Sequence, residues 1–308
     1  MSIELARGGV ASSQPDRLGD SRAVRASRLS PLSAIRSMQA ALGSHVTRQR
    51  VVKDLAVAGL GGWLVGLIML LQETGGRLAV GYDLAAYIRA GHDLLSGAPV
   101  YVGHIGQSGA FSYAPPWAVL FAAIAWIPGQ LVQLAMMVLD LLALRYLFGR
   151  WSLVGLAFLC PWTVSLIITG NVELLIAAGI LGAARGHAAP LALMAMTKLS
   201  PILAMPRTQW LRAALAVLAI CALSLPWLHL WPEWISYLLQ QPSAVPGLTL
   251  GPPWYVRLPL AIALLAIRRP WSSALAAVVA WPAMWMGTLF VLLAPARIWL
   301  DTRLAASR

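Results

Sequence analysis

Charge is the first thing this chain has little of: charged side chains make up 11% of its 308 residues, against 59% hydrophobic. A soluble domain carries roughly 25% charge, so water is excluded as the main solvent for most of this sequence. Acids are scarcer than bases, with 11 Asp and Glu against 23 Lys and Arg. Cysteine is nearly absent. Cys160 and Cys221 sit in apolar stretches with no His or Asp at metal-ligand spacing, which argues against a structural zinc site or a disulfide framework. No metal and no cofactor is expected. Long apolar runs are abundant, several of them near the roughly 20 residues a helix needs to cross a bilayer. The fold class is therefore all-α, a polytopic transmembrane helical bundle.

A net charge of +12 raises nucleic-acid binding, but its distribution argues against it. Nine of the 23 cations lie between Arg7 and Lys53, ahead of the first apolar run. No basic patch interleaved with aromatics occurs in a water-exposed domain. Basic residues flanking a first span hold that end in the cytoplasm. Residues 1–53 read as a disordered basic cytoplasmic tail, although an Arg- and Ser-rich, acid-poor start also resembles a transit peptide. Residues 54–308 form the membrane domain, with the cell inner membrane as its expected location. No A-x-A cleavage site follows the first apolar run, so that run is expected to stay as an anchor.

Hydropathy places spans at 54–71, 114–127, 130–148, 151–169, 172–184, 188–206, 212–230, 254–267 and 271–293. Several are short or interrupted by proline, giving about eight or nine crossings with one short segment open to a re-entrant path. Alternating from a cytoplasmic N-terminus puts Arg207, Arg212, Arg268 and Arg269 inside, and leaves Arg145, Arg150 and the tail 297–308 outside. Two connections are long enough to be structured extracytoplasmic loops, 72–113 and 231–253.

In the first loop, Asp83 opens a segment with Leu84, Tyr87, Ile88, Leu94 and Leu95 at helical spacing and Arg89, His92, Asp93 and Ser96 opposite. That pattern predicts an amphipathic interfacial helix ending at Gly97 and turned by Pro99. Asp83 has two readings that coexist: an N-cap of this helix, worth roughly 1 kcal/mol, and an oriented carboxylate able to act as a general base. A lipid phosphate meeting this helix would face Arg89 and His92. Pro115 and Pro116 fit the first turn of the next helix.

Lys198 stands inside an apolar run, where a centred charge costs roughly 2.5 to 3.5 kcal/mol on the mild insertion scale. It calls for a partner, Glu173 or Asp140, or for a place near an anionic ligand. In the second loop the tryptophans of Trp231-Pro232-Glu233-Trp234 suit seating at the interface, and Glu233 reads either as the acid of a helix start or as a contact to a sugar hydroxyl.

Five features in order resemble family 87 glycosyltransferases, the polyprenol-phosphate-mannose-dependent mannosyltransferases of the GT-C superfamily. They are an Asp soon after the first span (Asp83), the turn Gly97-x-Pro99-x-Tyr101, Phe111-x-Tyr113-x-Pro115-Pro116, the pair Gly170-Asn171, and Lys198-Leu199-Ser200-Pro201. Where the family carries Gly-Gln-x-Asn, this chain reads Gly170-Asn171-Val172-Glu173.

The resemblance implies an integral membrane glycosyltransferase. Its donor would be a polyprenyl-phosphate-linked sugar, mannose by the likeness, and its acceptor a lipid or glycan hydroxyl. Asp83 would be the catalytic base for a single inverting displacement. Arg89, His92, Arg257 and Lys198 are the candidates to hold the donor phosphate, with Glu233 and Tyr113 as sugar contacts. Two other classes compete: a transporter or lipid flippase, in which Lys198, Glu173 and Asp140 line a pathway, and a non-catalytic membrane subunit.

Overall fold

The computed structural model describes residues 80–105, 109–149, 162–241, 250–282 and 284–306. The expected basic tail and first span lie outside the described residues, as do Arg150, Cys160, Arg308 and positions 242–249 of the second loop. Among the described residues every regular element is helical, and no strand occurs.

The interfacial helix is α1, Tyr82–Ser96, and α2, Pro115–Ile124, packs on it. Leu84, Tyr87, Gly91 and Leu94 supply the stripe that α1 buries, joined by Ala86 and Ala90. Leu95, expected on that stripe, is 61% exposed, because the small residues Ala90 and Gly91 take the contact instead. Gly91 sits so close to α2 that a Cβ there would lie 2.6 Å from the Phe121 carbonyl carbon. Only glycine lets the two backbones meet at this crossing. Gly97 closes α1 in the left-handed region (φ 71), its N–H returning to Asp93 and Leu94.

Helix α3, Gly129–Phe148, is the one helix among the described residues long and apolar enough to cross a bilayer. Next come α4, Trp162–Thr169, and α5, Glu173–Ala184, which pass the same test together but are bent by 104° at their break. Gly170 makes that break. Its φ of +74° suits glycine, and a Cβ there would press to 2.9 Å from Leu84 Cβ.

The remaining expected spans appear as shorter pieces. Segment 188–206 becomes α6, Ala188–Ala195, then an irregular stretch through Lys198 and a 3-10 turn, Ser200–Ala204. Segment 212–230 becomes α7, Trp210–Ala222, and a 3-10 turn at Leu225–Trp227. The second loop opens with α8, Leu230–Gln240, and is followed by α9, Trp254–Ala266. Segment 271–293 becomes α10, Pro270–Val279, and a 3-10 stretch, Met286–Leu292, leading into α11, Leu293–Ala306. Pro201 and Pro226 stand at the second position of these 3-10 turns, where a missing backbone donor is tolerated, and Pro282 follows the end of α10.

Side-chain bonds identify two ends of the bundle. At one, the Gly81 amide donates to Ile168 O (2.7 Å) and Gln133 Nε2 donates to the same oxygen (3.0 Å), so the start of α1, the end of α4 and the second turn of α3 share a level. At the other, Arg185 Nη2 reaches Asp301 (2.9 Å), Arg297 Nη1 reaches Leu147 O (3.4 Å) and Gln209 Nε2 reaches Ala183 O (2.7 Å). Segment 188–206 leaves this second end beside Arg185, approaches Glu173 with Lys198, and is back beside Ala183 by Gln209. Within the bundle it doubles back between these contacts. Arg145 and Arg297, which the alternation drawn from sequence sets opposite Arg207, lie at the same end of the bundle as Arg207.

Candidate functional site

A buried polar cluster forms at the first end, where α1 begins against the α4–α5 break. The expected cap on α1 is not made. Gly81 holds the N-cap position in the left-handed region without a side-chain bond, and Asp83 stands one residue inside the helix. Free of that duty, Asp83 Oδ2 accepts from Asn171 Nδ2 at 2.9 Å, while Asn171 Oδ1 accepts the Glu173 backbone N–H at 3.0 Å. The backbone donor fixes which way the Asn171 amide faces, so its NH2 must point at Asp83. This orients the carboxylate across 88 residues of sequence.

Behind this contact, Lys198 Nζ donates to Glu173 Oε1 at 2.6 Å and lies 4.5 Å from the centre of the Trp281 ring. The ammonium thus has the acidic partner its apolar surroundings demand. Glu173 Oε2 is buried with no hydrogen-bond partner. Asp140 is fully buried within the field of Glu173, and neither of its oxygens has a partner.

Burial pushes the Asp83 carboxyl above its ordinary value, and the nearby Glu173 charge adds to the push. Hydrogen bonds from Asn171 and Thr169, and the charge of Lys198, act the other way. Thr169 has one hydroxyl proton and two acceptors for it, Asp83 and Leu166 O at 3.2 Å. The Tyr113 hydroxyl lies 2.9 Å from that of Tyr87, and burial drives both phenols well above their usual range. Tyr113 borders the cluster, within the field of Glu173 and Asp83.

Of the residues singled out in the sequence, Asp83, Lys198, Glu173, Asn171 and Tyr113 come together here, and Arg89, His92, Glu233 and Arg257 do not. Arg89 lies six residues along α1, roughly 9 Å up the axis on another face, where its Nε is 3.4 Å from Asp93 Oδ2. His92 is exposed. Glu233 is exposed in the first turn of α8, near enough to Tyr101 for its charge to join burial in raising that phenol.

Arg257 is a correction. Its Nε donates to Pro252 O (2.9 Å), Nη1 to Val279 O (3.0 Å), and Nη2 to Trp281 O (2.7 Å) and Pro282 O (3.3 Å). Its guanidinium ties the start of α9 to carbonyls at and just past the end of α10.

Sequence reasoning passed over Asn171 as a ligand of Asp83, although the Gly170-Asn171 pair had marked the place. Trp281 carried no signal beyond the proline that follows it. Among the described residues no group of three or more His, Cys, Asp or Glu is placed to hold a metal ion. No family model, curated protein or solved structure matches the chain.

Proposed function

We propose that this chain is a polytopic membrane glycosyltransferase that moves a sugar, mannose by its family resemblance, from a polyprenyl-phosphate donor to an acceptor hydroxyl on the extracytoplasmic side. One observation carries the reading: Asp83 is held by Asn171 at the rim of a buried cluster containing the ammonium of Lys198, in a bundle otherwise built of apolar helices. Asp83 Oδ1 takes the acceptor's hydroxyl proton as that oxygen bonds to the anomeric carbon. The bond from this carbon to the phosphate oxygen breaks on the opposite face, and the lipid phosphate leaves with the electron pair, which inverts the centre. A positioned base contributes typically 10² to 10⁴-fold, with orientation adding to it. Among the described residues Lys198 is the cation whose charge acts on Asp83, and it is the one assigned to the phosphate, with Arg89 and Arg257 set aside for this role.

The membrane reading is supported by the large apolar side chains turned outward, among them Leu131, Leu134 and Leu142 on α3, Leu211, Leu215 and Leu218 on α7, and Leu260 and Ile262 on α9. An excess of this kind suits lipid contact. The side is supported by Arg145, Arg185, Arg207, Arg212 and Arg297 at the end away from Asp83, the arrangement the positive-inside rule assigns to the cytoplasm. With 188–206 re-entrant, α3, α5, α7, α9, α10 and the segment from Met286 through α11 are the crossings proposed among the described residues.

Supplying membranes that contain the full chain with a panel of labelled polyprenyl-phosphate sugars tests the proposal. Transfer of label from one donor into a new lipid or glycan is expected, and transfer from none contradicts it. Asp140, buried and unpartnered, favours one rival, an ion-coupled transporter. Uptake of a labelled solute into proteoliposomes that stops with Asp140→Asn, in the absence of sugar transfer, selects that reading.

A further inference from the structure

Lys198 has more donors than its partner uses. An ammonium carries three N–H groups, and among the described residues this one makes a single hydrogen bond, to Glu173 Oε1 at 2.6 Å. Another side of Nζ is covered by the Trp281 ring, whose centre is 4.5 Å away. The lysine side chain is nevertheless 15% exposed, against 3% for Glu173, so the open side of the pair belongs to the cation.

The chain fixes both the lysine and the ring. Met196 O accepts the Ala114 amide (3.0 Å), which pins the backbone two residues before Lys198, and the Ser200–Ala204 turn beyond it packs on α10. Trp281 follows α10 and is 1% exposed. Its N–H donates to Val278 O (3.1 Å), and its carbonyl accepts Arg257 Nη2 (2.7 Å). Three residues on, Met284 O accepts the Leu250 amide (2.6 Å). The Arg257 bond is one hold among several, so its loss costs stability and leaves the ring in place.

We propose that Trp281 is a positioning residue for Lys198: its indole face and Glu173 Oε1 hold the ammonium from two sides and leave a third N–H for a phosphate oxygen of a lipid-phosphate ligand. The inference rests on Lys198 as the cation assigned to the donor phosphate, and adds what aims it. Tryptophan presents the most attractive ring face to a cation, and the attraction grows away from water. Unlike a second carboxylate, a ring draws the ammonium without neutralising it, so the charge is kept for the ligand. Glu173 Oε2 is buried without a partner. Without the ring, a second N–H is free to turn to that oxygen and is lost to the phosphate.

The test measures equilibrium binding of radiolabelled farnesyl phosphate to the full chain in a maltoside detergent, with radiolabelled farnesol as the probe without phosphate. Three variants are compared with the unmodified protein: Trp281→Leu, a multiply fluorinated tryptophan at position 281, and Lys198→Met combined with Glu173→Gln. Fluorination keeps the shape of the ring and withdraws electron density from its face, so it separates attraction from packing. The double variant is expected to weaken farnesyl phosphate binding at least about tenfold, the fluorinated ring at least about threefold and Trp281→Leu at least about fivefold, with farnesol binding unchanged throughout. Unweakened farnesyl phosphate binding in both position-281 variants, beside a loss in the double variant, overturns the role of Trp281 and leaves Lys198 as the phosphate cation. Unweakened binding in the double variant overturns the assignment of Lys198 and this inference with it. A loss in Trp281→Leu that extends to farnesol, or that fluorination does not reproduce, makes the ring a packing element and also overturns the inference.

Discussion

Replacing Lys198 by methionine keeps most of the side-chain length and removes the charge, and the consequence follows from where its partner sits. Lys198 is 15% exposed and Glu173 3%, so the pair lies outside the surface regime in which an ion pair is worth about 0 to 1 kcal/mol. With the ammonium gone, Glu173 becomes a buried carboxylate without compensation, a change of about 3 to 5 kcal/mol. Its second oxygen already lacks a partner. Methionine retains contact with the Trp281 ring, so the loss reports the charge and not the packing. Pairing Lys198→Met with Glu173→Gln removes both charges, and the double variant is expected within about 1 kcal/mol of the unmodified protein. Equilibrium unfolding of the four proteins in one detergent gives the coupling energy, expected at about 2 kcal/mol or more. Single variants that each lose under about 1 kcal/mol, with a double variant at their sum, would refute the reasoning.

Arg257→Met breaks four bonds to backbone carbonyls and is expected to destabilise by about 3 kcal/mol, leaving the KM for a lipid-phosphate donor unchanged; a raised KM at full stability returns Arg257 to the phosphate. Asp140→Leu exchanges a buried carboxyl without partners for an apolar side chain of similar size. Denaturant unfolding should show a gain of about 1 to 3 kcal/mol. Because Asp83 titrates above its ordinary 3.8, the acid limb of turnover should fall above that value. Stability has the opposite sign: between 3.8 and the raised value the folded chain holds a proton the unfolded chain has released, so stability declines as pH rises through that window. Asp83→Asn should abolish that part of the slope, which pH-dependent melting measures.

Much of the helical architecture is legible in the sequence because apolar length and proline placement are local properties. The starts of α2 at Pro115 and of α3 at Gly129 lie within one residue of the spans hydropathy draws. The double-back at Lys198 is not legible, because 188–206 has the length and composition of a crossing. Only the contacts of Glu173 with Lys198 and of Ala183 with Gln209 reveal that it returns. The site divides the same way. Asp83 stands out as a lone acid at the head of an amphipathic segment, and Lys198 as a charge in an apolar run. Its partner Asn171 is 88 residues away, a distance no spacing rule bridges. Arg257 misled because an arginine near a helix start looks the same in sequence whether its donors face a ligand or its own backbone.

The account rests on Asp83 as the group that takes the acceptor's proton. Turnover of Asp83→Asn, measured beside the unmodified chain at matched membrane expression and matched melting temperature, tests this most directly. Asparagine keeps the shape and a hydrogen-bonding oxygen for Asn171 but cannot act as the base. The expected result is a fall in sugar transfer of at least about 10²-fold with donor binding retained; transfer at the unmodified rate contradicts the assignment.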